Sequence, residues 1–466
     1  MKDFFYFELY YGKNRDFEGD GSMTNETKIP NTRWWRILPA TVLVYIVANI
    51  DRANISFAMA GGMMEELGLD AVAIGMAIGI FFWGYLLLQV PGGHLAERKS
   101  AKNFIAAMIV IWGGCATICG FISTSFEFNV VRFILGIAEG GIFPAILVII
   151  SHWFPPAERA RANSIFLLSF PLSAIISGPI SGWLIATWGW REMFIIEGVA
   201  SIALIFLWMP LIADRPSKAK WLSAEERNWI ESELAAEAAA KKAAAATNKS
   251  ATKTSYRELV FDINLWKMVA VYFLICCAFY VLSFWLPTII KDILKADIGM
   301  VGWLSALPNI AAALGIVFFG RMADKSQNRR KYCIIPYVCV GLCIIASVFT
   351  ASYSGWLSFA FLCLCGFFWL SGHPVLWTIV AETFQPEVAG GARGAINALG
   401  NLSGFFAPML LGYMIQNYSR DAGMYIFAVL VFLAAVIVWS MPKNAETKAA
   451  VEKTREHVTA TTNAHA

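Results

Sequence analysis

Apolar side chains in this sequence run in long blocks rather than alternating with polar ones. Twelve blocks stand out, at residues 35–59, 74–93, 104–123, 128–150, 162–183, 194–212, 265–286, 301–319, 333–350, 357–381, 392–415 and 424–441. Roughly 20 residues of helix cross the hydrocarbon core of a bilayer. The blocks are too long and too uniformly apolar for the alternating strands of a membrane barrel, so each predicts a transmembrane helix. Short polar loops separate them, except for one long polar break at residues 213–264.

Composition agrees. Of 466 residues, 58% are hydrophobic and 15% charged, with a mean hydropathy of +0.58. Soluble domains carry nearer a quarter of charged residues. This excludes a disordered chain, a collagen, a nucleic-acid binder and a disulfide scaffold. The net charge of +4 is too balanced to imply a polyanionic partner. All nine cysteines fall inside apolar blocks, where they act as small hydrophobes, and none has metal spacing with histidine. Residues 1–22 lack the basic start, long apolar core and cleavage site of a secretory signal, and Met23 is expected to be the natural start.

Lysine and arginine in the short loops set the orientation. Even-numbered loops carry Arg98, Lys99, Lys102, Arg159, Arg161, Arg321, Lys325, Arg329, Arg330, Lys331 and Arg393; odd-numbered loops carry Arg191, Lys291, Lys295 and Arg420. Both chain ends are therefore expected in the cytoplasm of a cell that holds the protein in its inner membrane. The long break shares that side. Its Ala-rich stretch from Glu233 to Lys242 reads as a helical or semi-rigid tether with no catalytic constellation.

The two halves repeat each other. Gly93-His-Leu-Ala-Glu-Arg-Lys-Ser-Ala-Lys102 is echoed by Gly320-Arg-Met-Ala-Asp-Lys-Ser-Gln-Asn-Arg329; Pro144, Phe154 and Pro156 by Pro374, Phe384 and Pro386; Gly178-Pro179 by Ala407-Pro408. The offsets are 227, 230 and 229 residues, in the same order along the chain. The predicted organisation is an N-terminal segment (1–34), a six-helix bundle (35–212), a cytoplasmic linker (213–264), a second bundle (265–442) and a tail (443–466). Both loop copies resemble the G-x-L-A-D-R-x-G-R-K signature of the major facilitator superfamily, with departures at Glu97, Ser100, Ala101, Met322, Lys325, Gln327 and Asn328. The resemblance implies an all-α fold of 12 transmembrane helices in two pseudo-symmetric bundles. It also implies a transporter rather than an enzyme.

Glu97, Arg98 and Asp324 sit where helices meet the cytoplasm. A carboxylate there can hold a neighbouring helix end, and releasing it would let the bundles rock. The alternative is a generic solvated charge cluster.

Charges within apolar blocks cost about 2.5–3.5 kcal/mol each even on lenient scales, so they need a pairing or a function. Asp51 and Arg52 stand in the first block, Arg132 and Glu139 in the fourth. Arg132 and Glu139, seven residues apart, share a helix face about 10 Å along the axis. An arginine there can fork-bind a carboxylate, and a buried carboxylate can carry a proton. The competing arrangement pairs Asp51 with Arg132 and Glu139 with Arg52 as interhelix glue.

Ile50-Asp-Arg-Ala-Asn54, Arg132-Phe-Ile-Leu-Gly-Ile-Ala-Glu139 with Pro144, Trp153-Phe-Pro-Pro-Ala-Glu-Arg159, Gly189-Trp-Arg191, Glu197-Gly198, and Asp214-Arg-Pro216 before Trp221-Leu222 resemble the anion:cation symporter family. The resemblance implies carriage of a small organic anion, largely carboxylates, commonly driven by a proton gradient and without a cofactor. It gives Arg52 and Arg132 to the anion and makes Asp51 and Glu139 the proton-responsive pair. Tyr85, Trp377 and Asn397 match cavity positions; as bare residues they read equally as packing aromatics and a helix–helix amide. Sugar-acid carriers of the family tend to show Asn-x-x-Gln after Ser-Ile-Phe in the fifth span. Here Ser164-Ile-Phe166 is followed by Leu167-Leu-Ser-Phe170, which favours a substrate with an apolar or aromatic body, or a compact dicarboxylate, unless Phe170 faces lipid. His373, before Pro374, is either a second titrating or substrate-contacting group or a packed histidine bonded to a freed carbonyl.

No Gly-rich Lys loop, His-Glu-x-x-His helix or Gly-x-Ser-x-Gly elbow is present, so ATP coupling and hydrolysis have no support. The rival readings are an organic anion/phosphate antiporter and a transporter-like ligand sensor. The expected partners are the anion and the lipid bilayer, with no nucleic acid, and the expected state is a monomer.

Overall fold

The computed structural model describes residues 30–247, 256–326, 328–384 and 386–441. The Met23 start lies outside the described residues, as does the side chain of Asp324.

Twelve membrane-length helices carry the described chain. The first six are α1 (Thr32–Glu66), α2 (Ala71–Leu95), α3 (Ala101–Cys119), α4 (Ser125–Trp153), α5 (Pro156–Trp188) and α6 (Trp190–Leu211). The second six are α7 (Ile263–Leu294), α8 (Ile298–Ser326), α9 (Arg329–Ala351), α10 (Gly355–Thr383), α11 (Gly390–Asn417) and α12 (Arg420–Trp439). Between α2 and α3 the backbone stays wound through Ala96–Ser100 and breaks only at Ser100 (φ −154°, ψ 111°), whose hydroxyl caps α3. Local chemistry marks other starts: the Asp70 carboxylate caps α2, and Thr124 with Glu127 forms a capping box on α4. Gly189, at φ 105°, supplies the left-handed turn that ends α5.

The repeat seen in sequence is also a repeat of irregularity. α4 breaks at Gly141 and α10 at residues 370–372; α5 breaks at Leu168 and α11 at Leu402. The α4 and α10 breaks fall just before the echoed prolines Pro144 and Pro374, while α5 and α11 each carry a break at a different point of the repeat.

Within the first half, glycines set how closely helices cross. A side chain on Gly136 or Gly140 of α4 would press on the carbonyl oxygens of Phe81 or Tyr85 in α2, and Gly113 and Gly198 do the same for α3 and α6. Gly136→Val is expected to cost about 1–3 kcal/mol of stability by overpacking. A fall in melting temperature in detergent, with no change for Gly114→Ala, checks this, since a Cβ at Gly114 meets open space.

The halves meet toward the face opposite the described chain ends. Gly75 and Gly79 of α2 lie against Pro408 and Phe405 of α11, and Gly178 and Gly182 of α5 lie against Gly302 of α8. At that end Lys291 Nζ donates to the Ala60 carbonyl (2.6 Å) and Gln416 to Asp70 (3.1 Å).

The linker is more than a tether. Its helix Ala224–Thr247 docks on the first half: Glu226 binds Arg33 (2.7 Å), which also binds Glu158 (2.7 Å), and Glu237 binds Arg159 (2.7 Å). Trp221 stacks on Trp153 at 5.1 Å. Arg33 is fully buried in this cluster, so the charges are held by one another and not by water.

Candidate functional site

The four charges named from sequence lie together in the first half. Arg52 of α1 donates Nε (3.1 Å) and Nη2 (2.9 Å) to Glu139 Oε2 of α4. Its guanidinium sits over the rings of Tyr85 (4.8 Å) and Phe81 (5.2 Å) of α2. The close α2–α4 crossing at Gly136 and Gly140 brings those rings to the charges.

Arg132 differs. It is 0% exposed and 5.3 Å from the Phe81 ring, yet its Nε, Nη1 and Nη2 have no hydrogen-bond partner among the described residues. Five donors in a fixed fork are thus buried and unsatisfied, against the general rule for polar groups. Glu139 Oε1 is likewise unpartnered.

Asp51 goes elsewhere. Its Oδ2 accepts from Trp112 Nε1 of α3 (2.9 Å) and from Ser201 Oγ of α6. Of the two ion pairs in the glue arrangement, Glu139–Arg52 forms, whereas Asp51 makes no ion pair among the described residues.

Across from this cluster, the second half offers aromatic rings. Tyr280 of α7 packs on Phe82 of α2 (4.7 Å), and its hydroxyl donates to Asn401 Oδ1 (2.8 Å). Arg52 and Tyr85 lie within electrostatic reach of that hydroxyl. Tyr272 meets Trp377 edge-on at 5.1 Å and His373 at 5.8 Å. His373 makes no carbonyl bond among the described residues: its Nε2 is 3.9 Å from Cys276 Sγ and its Nδ1 has no partner. Trp377 and Asn397 are half-buried, and Tyr85 is buried.

Phe170 packs edge-on against Tyr45 (5.0 Å) and near Phe143 (6.3 Å). It therefore belongs to an aromatic wall that continues through Tyr45 toward Tyr85. Glu97 and Arg98 are exposed and make no ion pair among the described residues. The carboxylate that holds the start of α3 is instead Asp214, which accepts from Ser100 Oγ (2.8 Å) and Lys102 N (2.9 Å).

Sequence reasoning passes over Tyr272 and Tyr280, whose aromatic character in an apolar helix carries no signal of its own. It also takes Glu197 only as part of a resemblance. Its position inside the sixth apolar block is the signal that could have marked it.

Comparison with known proteins fits this arrangement. The Major Facilitator Superfamily model matches residues 41–408 and 287–463. A "Putative tartrate transporter" of Agrobacterium vitis is 32% identical over 452 residues, covering 93% of this chain and 97% of its own. A "Probable galactarate/D-glucarate transporter GudP" of Escherichia coli is 27% identical, covering 88% and 93%. Among solved structures, a bacterial homologue of the human lysosomal transporter Spinster, in an inward-facing and unoccupied conformation, superposes with a TM-score of 0.71 at 16% identity, covering 90% of this chain and 98% of that one. A D-xylose–proton symporter superposes with a TM-score of 0.67 at 17% identity, covering 88% and 98%. Repeated bundles, interrupted helices and family match converge: this chain belongs to the Major Facilitator Superfamily, a family of membrane transporters.

Proposed function

We propose that this protein is a proton-coupled symporter that takes up a small organic anion by alternating access. The observation that carries the reading is the Arg132 guanidinium, buried and without a hydrogen-bond partner among the described residues. Such a group is stable only if something else satisfies it, and a carboxylate fits its fork. The named substrates of the relatives, tartrate and galactarate or D-glucarate, are carboxylates.

Arg132 holds the carboxylate. Arg52 joins when Glu139 takes up a proton, because neutral Glu139 no longer competes for that guanidinium. Asp51 is the second proton-responsive group. With both chain ends cytoplasmic, the contacts between halves lie on the outer side, which corresponds to an inward-facing state. Rocking about the Gly178–Gly302 and Gly75–Pro408 seams would open that side. Glu97, Arg98 and Asp324 would act as the cytoplasmic gate.

The walls favour a planar or apolar body over a polyol. Phe81, Tyr85, Tyr45 and Phe170 gather on one side and Tyr280, Tyr272 and Trp377 on the other, and the Tyr280 hydroxyl is already engaged by Asn401. A compact dicarboxylate is the second reading, because Arg52 and Arg132 flank one ring, Phe81.

Uptake of labelled aromatic acids, dicarboxylates, sugar acids and organophosphates into proteoliposomes tests this. The expected result is accumulation of one carboxylate class under an inward proton gradient, abolished by a protonophore. Uptake that needs internal phosphate would establish the antiporter, and binding without counterflow the sensor.

A further inference from the structure

Glu197 of α6 has no place in the anion site, yet it is 6% exposed in the interior of the first half. Its Oε2 accepts from Asn54 Nδ2 of α1 (3.0 Å) and its Oε1 from Ser181 Oγ of α5 (2.8 Å). One turn further along α6, Ser201 Oγ donates to Asp51 Oδ2 and is shared with the Glu197 carbonyl (2.9 Å). Asp51 and Glu197 therefore hang on one network whose other members, Trp112, Ser201, Asn54 and Ser181, are all neutral.

Neither carboxylate makes an ion pair among the described residues. The ionisable groups facing the network are few. From α4 come Arg132 and Glu139, from α1 Arg52, and from α3 Cys119, which stands within electrostatic reach of both Arg132 and Asp51. The groups that α5 and α6 add, Ser181 and Ser201, do not ionise. Arg132 and Arg52 make no hydrogen bond to either carboxylate, and Arg52 is committed to Glu139. Two buried carboxylates on one hydrogen-bond network without a bonded cation are strongly disfavoured as a pair of ions. Two fully buried oxygens, Asp51 Oδ1 and Asn54 Oδ1, also have no partner. Each can accept from an O–H, Asn54 Oδ1 once its amide turns over.

We propose that Glu197 is a third proton-binding carboxyl of the transport cycle, beside Glu139 and Asp51, and that it shares its proton with Asp51. This rests on the proton-coupled reading above. A proton from the outer side adds to the Glu197 carboxylate and forms one O–H bond. Transfer breaks that bond and forms one on Asp51, leaving Glu197 ionised again, with no change in total charge. Glu197 stands seven residues from the start of α6, about 10 Å along the helix, so a proton entering from that end meets it before Asp51. Ser181 lies between Gly178 and Gly182, the residues on which α5 rests against Gly302 of α8. Protonation of Glu197 thus changes a hydrogen bond at the seam between the halves.

The test is uptake in proteoliposomes by Glu197→Gln and Glu197→Asp, each assayed for counterflow and for gradient-driven accumulation across external pH. Glu197→Gln keeps a carbonyl for Ser181, meets Asn54 through an amide N–H once the Asn54 amide turns over, and loses the titrating proton. It is expected to bind and exchange substrate like the wild type, to lose accumulation, and to lose the acid-stimulated limb of the pH profile. Glu197→Asp restores accumulation with a displaced limb. Wild-type accumulation and pH profile in Glu197→Gln would overturn the proposal and leave Glu197 as interhelix glue. If Glu197→Gln does not fold, Glu197→Asp decides: a displaced limb supports the proposal and an unmoved one overturns it. A wild-type protein indifferent to the gradient would instead remove the coupling reading itself, and this proposal with it.

Discussion

Arg132→Ala is expected to abolish the thermal stabilisation that a carboxylate substrate gives the wild type, and with it uptake. Truncating one partner of a buried charge-assisted pair typically costs about 2–5 kcal/mol, which is roughly 30-fold to several thousand-fold in affinity. The same substitution has an opposite sign in the ligand-free protein. Wild-type Arg132 carries three unsatisfied nitrogens in the interior, and each unmet buried donor is destabilising. Arg132→Met, which nearly keeps the volume, should therefore melt no lower than wild type without ligand while gaining nothing when ligand is added. A differential melting experiment reads both signs at once. Retention of the ligand-induced shift by either variant would remove Arg132 from the anion site.

Glu139→Gln is the second change with a large expected effect. Glu139 Oε2 holds Arg52 through two hydrogen bonds, and the amide cannot supply the charge that anchors them. The variant mimics the protonated state permanently, so Arg52 is always free for substrate. Binding should persist and lose its dependence on pH, and exchange of internal for external substrate should continue. Accumulation driven by a proton gradient should disappear, because protonation can no longer switch Arg52 between Glu139 and the substrate. Full gradient-driven uptake by Glu139→Gln would sink this coupling scheme.

The two predictions separate roles that lie close together. Arg132 and Arg52 flank the same Phe81 ring, but one is paired and the other is not. In the proposed scheme, proton binding would reach the substrate through Glu139 and Arg52 while Arg132 would serve as a fixed anchor. The docked linker helix adds to this rigidity. Glu226 and Glu158 hold Arg33 at the start of α1, the helix that carries Asp51, Arg52 and Asn54.

Much of this was legible before any coordinates. Block length requires helices, since backbone polar groups in hydrocarbon must be satisfied within the segment. Recurrence of the same loops and prolines at a near-constant offset requires two equivalent halves. Asp51, Arg52, Arg132 and Glu139 stand out because a charge in an apolar block is costly enough to demand a reason. Aromatic rings carry no such penalty, and for that reason Tyr272 and Tyr280 could not be told from packing residues.

What sequence alone determined, then, is the number of crossings, their pairing into halves and the shortlist of buried charges, because each follows from the cost of placing polar groups in lipid. Who pairs with whom was decided only by tertiary structure. One charge of each sign on each of two helices allowed Asp51 to meet Arg132, but the close α3–α6 crossing at Gly113 and Gly198 brings Trp112 and Ser201 to Asp51 instead. It leaves Arg132 without a hydrogen-bond partner among the described residues and gathers Glu197 into the network of Asp51. Those outcomes depend on helix crossings set by contacts 61 to 150 residues apart in sequence, and a periodicity within one block carries no record of them.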